Sequence, residues 1–293
     1  MSFRIIKYVS IITTVIAVVI GVYIFSRDQE VTPPEPVKIV IEDNWPKKEV
    51  IGTSVQGRSI ESFTYGNGKK HIAFVGGIHG GYEWNSVLLA YRFMDYLSMS
   101  TSSIDKNLSI TVIPNANPDA VYKVVGKEGR FEITDVSKVK EILESGRFNA
   151  NNVDLNRNFD CKWKPEATWR SKKVGAGTKA FSEPESLAIK NFVEKVKLNA
   201  VIFWHSQSNA VYASECLNGI LPETRSIMNV YSKATGYSAV DSFSAYPVTG
   251  DAEGWLASIG IPAITVELST HESIEWEKNL LGIKALINFY QNK

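Results

Sequence analysis

Short runs rich in β-branched and aromatic residues alternate with helical periods from about residue 37 to the end of the chain. The predicted strands, bounded by turn residues, cover residues 50–55, 59–65, 71–75, 108–113, 200–204 and 263–266. The predicted helices cover residues 84–97, 183–196, 222–235 and 273–290, with a further short helix near residues 136–143. Strands that alternate with helices are typical of α/β proteins, in which helices cover a central sheet. The pattern therefore predicts an α/β domain with a mixed sheet.

An uncharged, mostly apolar run fills residues 8–25, with the sequence YVSIITTVIAVVIGVYIF. It is long enough to cross the hydrocarbon core of a membrane as a helix. Arg4 and Lys7 precede it, and basic residues in this position favour a cytoplasmic location for residues 1–7. A cleaved signal peptide is the alternative, but the run is long for one and no small-x-small cleavage site follows it. The sequence predicts a single membrane anchor, with the rest of the chain outside the cytoplasm, in the cell envelope.

Residues 26–44 are predicted to be a linker, because they include the stretch VTPPEP, whose prolines favour an extended spacer. Residues 45–293 are long enough for one domain with a sizeable core. The chain has 32 Lys and Arg against 31 Asp and Glu, so it lacks the positive field that would attract nucleic acid. Its 2 cysteines, Cys161 and Cys216, are too few for a disulfide scaffold. Either a single bridge or two unpaired thiols is compatible with an extracytoplasmic domain.

A histidine and a glutamate follow the predicted strand HIAFVGGI on a glycine-rich turn with the sequence HGGYEWN. His79 opens this turn, and Glu83 lies at the start of the next predicted helix. An imidazole and a carboxylate on one turn can bind one cation, and Zn²⁺ accepts both nitrogen and oxygen donors. A catalytic zinc ion needs a third protein ligand, and His205, in the segment AVIFWHSQS, is the best candidate. Two imidazoles are poor ligands for Mg²⁺ and Ca²⁺, so the set predicts one zinc ion.

Further polar residues complete a candidate hydrolytic site. Hydrolysis by a metal-activated water requires a proton acceptor, and we assign this role of general base to Glu267, in the apolar strand IPAITVEL. Arg157 next to Asn156, in VDLNRNF, suits the binding of a free carboxylate. Arg147 is predicted to face the developing oxyanion, and Tyr246 to close over the substrate. Each residue alone has a structural alternative, such as an ion pair or a half-buried loop residue, so the prediction depends on the whole set.

In this order the residues resemble the zinc carboxypeptidase family, the relatives of the pancreatic carboxypeptidases. The resemblance extends from about residue 45 to residue 290 and includes the segments IGTSVQGRSI, PNANPDA, VDLNRNF, FSEPES and TVEL. It implies a three-layer α/β/α sandwich with a mixed, mostly parallel, eight-stranded sheet, one catalytic zinc ion and hydrolysis of a C-terminal peptide bond. It also implies the site roles, namely ligands His79, Glu83 and His205, base Glu267, carboxylate binding by Asn156 and Arg157, carbonyl polarisation by Arg147 and capping by Tyr246.

Two features depart from that family pattern or refine it. Three residues separate His79 from Glu83, where the family usually has two, so we expect the turn to bulge on its glycines. Asp251 and Glu253 follow Tyr246, and Glu253 falls near the position at which relatives specific for basic residues carry an acid. We therefore predict a preference for Lys, Arg or a diamino acid at the C-terminus of a peptide substrate.

Alternative functions remain. One is peptidoglycan processing, in which the domain would cleave the stem peptides of a muropeptide substrate as a carboxypeptidase or endopeptidase. A second is an N-acyl amino acid deacylase resembling the aspartoacylase branch, which shares DLNR, although the predicted anchor argues against it. A third, of a different class, is an inactive peptide-binding module. Such relatives usually lose a ligand or the base, and both are present here.

Overall fold

The computed structural model describes residues 46–100 and 104–293, which belong to a compact unit spanning Asn44–Lys293. The predicted N-terminus (1–7), anchor (8–25) and linker (26–44) all lie outside the described residues. Within the described residues, no helix combines the length and the apolar character that a membrane crossing requires.

Strands and helices alternate through most of this unit. The strands are β1 (Lys47–Thr53), β2 (Ser59–Tyr65), β3 (Lys70–Val75), β4 (Leu108–Ile113), β5 (Glu166–Trp169), β6 (Lys172–Gly175), β7 (Ala200–Ser206), β8 (Ala210–Ala213), β9 (Glu215–Cys216), β10 (Gly219–Ile220), β11 (Ser238–Val240) and β12 (Ala263–Leu268). The α-helices are α1 (Trp84–Met99), α2 (Pro118–Val125), α3 (Lys140–Ser145), α4 (Pro184–Lys195), α5 (Pro222–Thr235), α6 (Ala252–Ser258) and α7 (Trp276–Asn292).

Eight strands form one mixed sheet in the order β1-β2-β4-β3-β7-β12-β8-β11. The four central strands, β4, β3, β7 and β12, are mutually parallel. β1 and β2 add an antiparallel edge, and β8 pairs antiparallel with β12 on the other side. The predicted α/β class and mixed sheet are therefore confirmed. Because the central strands are parallel, their carboxyl ends meet at one edge of the sheet, where open α/β sheets bind ligands.

Alternation along the central strands sends side chains into two cores, one on each face of the sheet. Ile72 and Phe74 of β3 and Trp204 of β7 pack in the first core, with side chains of α1, α5 and α7. Val75 and Phe203 pack in the second core, with side chains of α4 and α6. The result is a three-layer α/β/α arrangement.

Several short elements were not predicted, or were predicted at other positions. The short helix expected near residues 136–143 lies at Lys140–Ser145, and α2 precedes it. Asn117 caps α2 by accepting a hydrogen bond from the backbone of Ala120. β8 and β11 contain only four and three residues, too few for an alternating pattern to be visible in the sequence.

Candidate metal centre and active-site cleft

Two predicted site residues lie side by side on neighbouring parallel strands. Val201 and Phe203 of β7 point into the second core, so His205, two residues later, points to the same face of the sheet. Glu267 of β12 lies directly opposite His205 in the pairing register. The parallel pairing of β7 and β12 therefore brings an imidazole and a carboxylate together at the carboxyl edge.

The third and fourth residues of the site are joined by a tight turn after β3. A 3-10 turn over Gly80–Glu83 follows His79. Gly80 has a φ of 51°, and a Cβ there would lie 2.3 Å from the Cβ of Ala120 and 2.6 Å from the carbonyl oxygen of Gly146. Position 80 thus requires glycine, and the longer His–Glu spacing is accommodated by this turn.

The three predicted metal ligands converge. His79, Glu83 and His205 each offer one donor atom, and these atoms lie within 4.8 Å of one another. All three residues are buried, and Glu83 Oε2 is 3.3 Å from His205 Nδ1. Two imidazole nitrogens and one carboxylate oxygen at the wall of a cleft are a donor set typical of catalytic zinc, with space for a further ligand. The residues present therefore fit a zinc ion.

The charges of the three residues depend strongly on one another. Burial raises the pKa of Glu83, but the neighbouring His79 and the hydrogen bond to His205 outweigh it and lower this pKa to about 2. Burial and the Arg147 guanidinium lower the pKa of His79 to about 4. Burial also lowers the pKa of His205, but the hydrogen bonds to Glu253 and Glu83 raise it well above its usual value. An ionised Glu83 and a neutral His79 are the forms that bind a cation.

Arg147 contacts this centre through an ion-pair network. Its guanidinium donates to Asp154 Oδ2 at 2.9 Å, lies 3.1 Å from His79 Nε2, and is 3.6 Å from Glu83 Oε1. Trp169 covers the guanidinium, with its ring centre 4.5 Å from Arg147 Cζ. The predicted oxyanion-binding arginine is therefore a direct neighbour of the metal ligands.

Asp154 was not singled out in the sequence, although it lies in the same VDLNRNF segment as Asn156 and Arg157, the predicted carboxylate clamp. Its Oδ1 atom is 3.2 Å from His79 Nδ1. Burial acts to raise the pKa of Asp154, but Arg147 and His79 hold it well below its usual range. This carboxylate pairs with Arg147 and lies beside the imidazole of His79, and no local pattern in the sequence indicates either contact.

Glu267 has the environment expected of a proton acceptor. Its Oε2 atom is buried and has no hydrogen-bond partner within the described residues. Burial, reinforced by the negative charge of Glu83, raises the pKa of Glu267 to about 8. An unpaired carboxylate oxygen beside the ligands is free to accept a proton from a reacting group.

The predicted carboxylate clamp is close to the centre but is partly engaged by the protein. Arg157 donates through Nε to the carbonyl oxygen of Thr168 at 3.1 Å and through Nη1 to that of Asn156 at 2.6 Å. Asn156 donates through Nδ2 to Glu253 at 3.2 Å and accepts from the backbone N–H of Ala252 at 2.8 Å. These contacts hold both side chains rigidly at the cleft wall.

Two acids from the start of α6 lie beside the clamp. Asp251 caps this helix by accepting a hydrogen bond from the backbone of Gly254 at 2.7 Å. Burial and the nearby charge of Glu253 raise the pKa of Asp251 to about 6. Glu253 contacts His205, with 2.9 Å between Oε1 and Nε2. This end of the cleft therefore holds two carboxylates in close proximity.

Tyr246 is half-buried, with its ring 4.8 Å from that of Phe243. It also packs against a small hydrophobic cluster that includes Trp169 and Val174 of the β5–β6 hairpin. This hairpin was not predicted, and it forms one wall of the cleft through Trp169 and Arg170.

One cleft of about 770 Å³ brings all these predicted residues together. The metal-ligand, catalytic and substrate-binding residues predicted from the sequence all line it, namely His79, Glu83, Arg147, Asn156, Arg157, His205, Tyr246, Asp251, Glu253 and Glu267.

A disulfide bond joins Cys161 to Cys216, whose Cα atoms are 6.1 Å apart. It connects the loop after the clamp residues to β9, and Cys161 lines the cleft. Of the two alternatives that the sequence left open, the structure therefore has the bridge.

Comparisons with known proteins agree on one family. Residues 43–285 match the sequence profile of zinc carboxypeptidase, peptidase family M14. The chain is 25% identical over 241 residues to gamma-D-glutamyl-L-diamino acid endopeptidase 1 of Lysinibacillus sphaericus, covering 75% of this chain and 60% of that protein. It is 27% identical over 225 residues to zinc carboxypeptidase A 1 of Anopheles gambiae, covering 70% of this chain and 50% of that protein. The chain thus spans between half and three-fifths of the length of these two relatives.

Solved structures share the fold at lower identity. Bovine thrombin-activatable fibrinolysis inhibitor, in complex with tick carboxypeptidase inhibitor, aligns with a TM-score of 0.68 and 20% identity, covering 85% of this chain and 92% of that one. The murein-tripeptide amidase MpaA from Escherichia coli O157 aligns with a TM-score of 0.58 and 21% identity, covering 83% and 91%. Since the family profile covers most of the sequence and the fold and the His–Glu–His group agree with it, the chain belongs to the zinc carboxypeptidase family of zinc-dependent hydrolases.

Proposed function

We propose that this protein is a zinc-dependent carboxypeptidase that hydrolyses C-terminal peptide bonds, with Glu267 as the general base. The observation that carries the proposal is the convergence of His79, Glu83 and His205 within 4.8 Å of one another, beside the unpaired Oε2 atom of Glu267. The chemistry that a bound zinc ion supplies is Lewis acidity, directed at a water molecule and at the scissile carbonyl.

The proton transfers are assigned to Glu267. Its Oε2 atom accepts a proton from the attacking water and then delivers it to the nitrogen of the leaving amine. Burial raises the pKa of Glu267 above its usual value, and the positive charge of a zinc ion bound beside it would act in the opposite direction, towards the ionised form that accepts a proton. Arg147, held by Asp154, directs a fixed positive charge at the oxygen of the carbonyl under attack.

Recognition of the free C-terminus is assigned to Asn156, Arg157 and Tyr246. A guanidinium and an amide bind a carboxylate with charge-assisted hydrogen bonds, and a phenol adds a further donor. The ordered contacts of Asn156 and Arg157 with the backbone reduce the entropy that is lost when the substrate binds.

We further propose that the terminal residue of the substrate is cationic, namely Lys, Arg or a diamino acid. Asp251 and Glu253 bring two carboxylates to one end of the cleft, and an ammonium group would compensate their repulsion. Equal kcat/KM values for peptides ending in Phe and in Lys would contradict this preference.

A second candidate is the cleavage of peptidoglycan stem peptides in the cell envelope, which would agree with the membrane anchor proposed for residues 8–25. Lys162 and Arg170 line the cleft, and neither forms an ion pair with a carboxylate within the described part of the chain. A γ-D-glutamyl bond leaves a carboxylate free beside the scissile amide, and such cations would attract it. The relative from Lysinibacillus sphaericus is named for this bond.

The test uses the full chain, zinc quantitation and a panel of substrates. We expect about one zinc ion per chain, loss of hydrolysis on chelation and recovery on zinc addition. Glu267→Gln should lower kcat by about 10²–10⁴-fold while zinc stays bound. Peptides ending in Phe or Lys and muropeptides ending in a diamino acid, analysed by mass spectrometry, distinguish the two candidates. A chain that binds no zinc, or hydrolysis unaffected by Glu267→Gln, would refute the proposal.

A further inference from the structure

Glu253 differs from a free specificity acid, because hydrogen bonds occupy both of its oxygens. Oε1 accepts from His205 Nε2 at 2.9 Å and from Thr265 Oγ1 at 3.1 Å. Oε2 accepts from Asn156 Nδ2 at 3.2 Å. The residue is 3% exposed, so little of its carboxylate is available to a substrate.

The opposite edge of the same imidazole faces the metal ligands. His205 Nδ1 is 3.3 Å from Glu83 Oε2, whereas His205 Nε2 faces Glu253. A neutral imidazole that offers the lone pair of Nδ1 to a cation carries its proton on Nε2. Glu253 Oε1 is the acceptor of that proton and therefore selects both the tautomer and the ring orientation of His205.

The helix that carries Glu253 is itself held in place. Asn156 Oδ1 accepts a hydrogen bond from the backbone of Ala252, and Asp251 caps the first turn through Gly254. These contacts place the Glu253 side chain against β7 and β12, where Thr265 of β12 also donates a hydrogen bond to it. The carboxylate is thus a fixed part of the protein interior.

We propose that Glu253 is a positioning residue, which orients His205 for metal binding through the Nε2–Oε1 hydrogen bond. This inference rests on the proposed zinc-dependent function and deepens it. It leaves Asp251 as the acid that would meet a cationic substrate end. Outer carboxylates of this kind are general in zinc sites, where their removal costs about 10–100-fold in metal affinity.

The experiment measures the dissociation constant of zinc, by competition with a chromophoric chelator, for the full chain and for its variants. Glu253→Ala should weaken zinc binding by about 10–100-fold, and Glu253→Gln by less, because an amide oxygen still accepts the hydrogen bond. Asp251→Asn is the matched control, since asparagine also caps helices and position 251 does not contact His205. We expect the zinc affinity of Asp251→Asn to stay within about twofold of wild type. This change is much smaller than the loss of affinity expected for Glu253→Ala.

A zinc affinity unchanged in Glu253→Ala, with a selective fall in kcat/KM for Lys-ended peptides, would overturn the inference and make Glu253 the specificity acid. If the wild-type chain bound no zinc, the proposed function itself would fail instead. If Glu253→Ala did not fold, Glu253→Gln and Thr265→Val provide the test, because both weaken the support of His205 while they preserve the volume of the side chain. Unchanged zinc affinity in both would equally overturn the inference.

Discussion

The two ends of the central parallel strands hold histidines in contrasting surroundings. At the amino end of β3, His71 is partly buried, and its imidazole Nε2 lies 2.7 Å from a neutral group, Thr111 Oγ1. Burial lowers the pKa of His71 to about 4. At the carboxyl end of β7, His205 is more deeply buried, yet Glu83 and Glu253 flank it and raise its pKa.

The difference shows that burial alone does not determine the chemistry of a histidine. Without a charged partner, burial favours the neutral imidazole, which has a structural role at the start of β3. With carboxylates on both edges, the buried imidazole becomes part of a polarised pair that can hold a cation. In this domain the acids of the site gather at the carboxyl edge of the parallel strands, so the same residue type has a different electrostatic environment there.

The strongest test of this contrast replaces each of the two histidines in a separate variant. His205→Phe removes a proposed metal ligand, so we expect loss of bound zinc and a fall in kcat/KM of at least about 10³-fold, equivalent to several kcal/mol of transition-state stabilisation. His71→Gln, the control at the amino end, should retain zinc and activity. Zinc quantitation after dialysis and steady-state kinetics measure both. Retention of activity in His205→Phe would contradict the contrast.

A smaller effect is expected from the disulfide, which connects loops at the carboxyl ends of the central strands. Cys161 and Cys216 are 55 residues apart in sequence, and a loop of this length contributes about 3–4 kcal/mol through the entropy of the unfolded chain. The double variant Cys161→Ala, Cys216→Ala should lose about that amount of unfolding free energy in urea titrations. The reduced wild-type chain is the control and should behave similarly. A loss below about 1 kcal/mol would show that packing alone holds these loops.

The ligand turn provides the next comparison, between two glycines of positive φ. Gly80→Ala should destabilise the domain by about 2–3 kcal/mol and weaken zinc binding, because its Cβ would overlap Ala120 as well as adopt a strained φ. Gly126→Ala has a φ of 70° but no atom within 4 Å of its Cβ, so about 1 kcal/mol is expected. Chemical denaturation of both variants measures the difference. Equal losses of unfolding free energy in the two variants would mean that the turn adjusts to the added Cβ at position 80 without displacing Glu83.

The smallest expected effect is on the pH dependence of stability, through His71 at the amino end of β3. Between about pH 6.5 and pH 4, the unfolded chain protonates His71 while the folded domain does not, so stability falls as the pH falls through this window. Since the side chain is partly exposed, we expect about 1–2 kcal/mol from this group. The measurement compares the unfolding free energies of wild type and His71→Gln at pH 7 and pH 4.5. An identical decrease in both proteins would show that His71 contributes nothing to it.

Much of the fold was predictable because its longer elements have clear periodicity. β2, β4 and α5 coincide with their predicted ranges, and the ends of α1 and α4 differ by two residues or fewer. The short strands β8 and β11 and the β5–β6 hairpin have too few residues for a periodic signal. β8 and β11 pair within the main sheet, whereas β5 and β6 pair with each other.

The sequence indicated which residues line the cleft, but much less about the contacts between them. His79, Glu83, His205 and Glu267 stand out because polar side chains at the ends of apolar strands have no packing role. Asp154 and Trp169 are different, since each acts by contact with Arg147, and such contacts have no local pattern. The same holds for Glu253, whose contact with His205 depends on the position of α6 against β7.

The sequence by itself determined the order of the longer strands and helices, the donor atoms available for a metal and the glycine-rich turn between His79 and Glu83. Only the tertiary structure decided that these donors meet in one cleft, that Cys161 pairs with Cys216, and that Glu253 faces an imidazole. The physical reason is that periodicity records which face of an element is apolar, whereas contacts between distant residues depend on how the strands are ordered and packed.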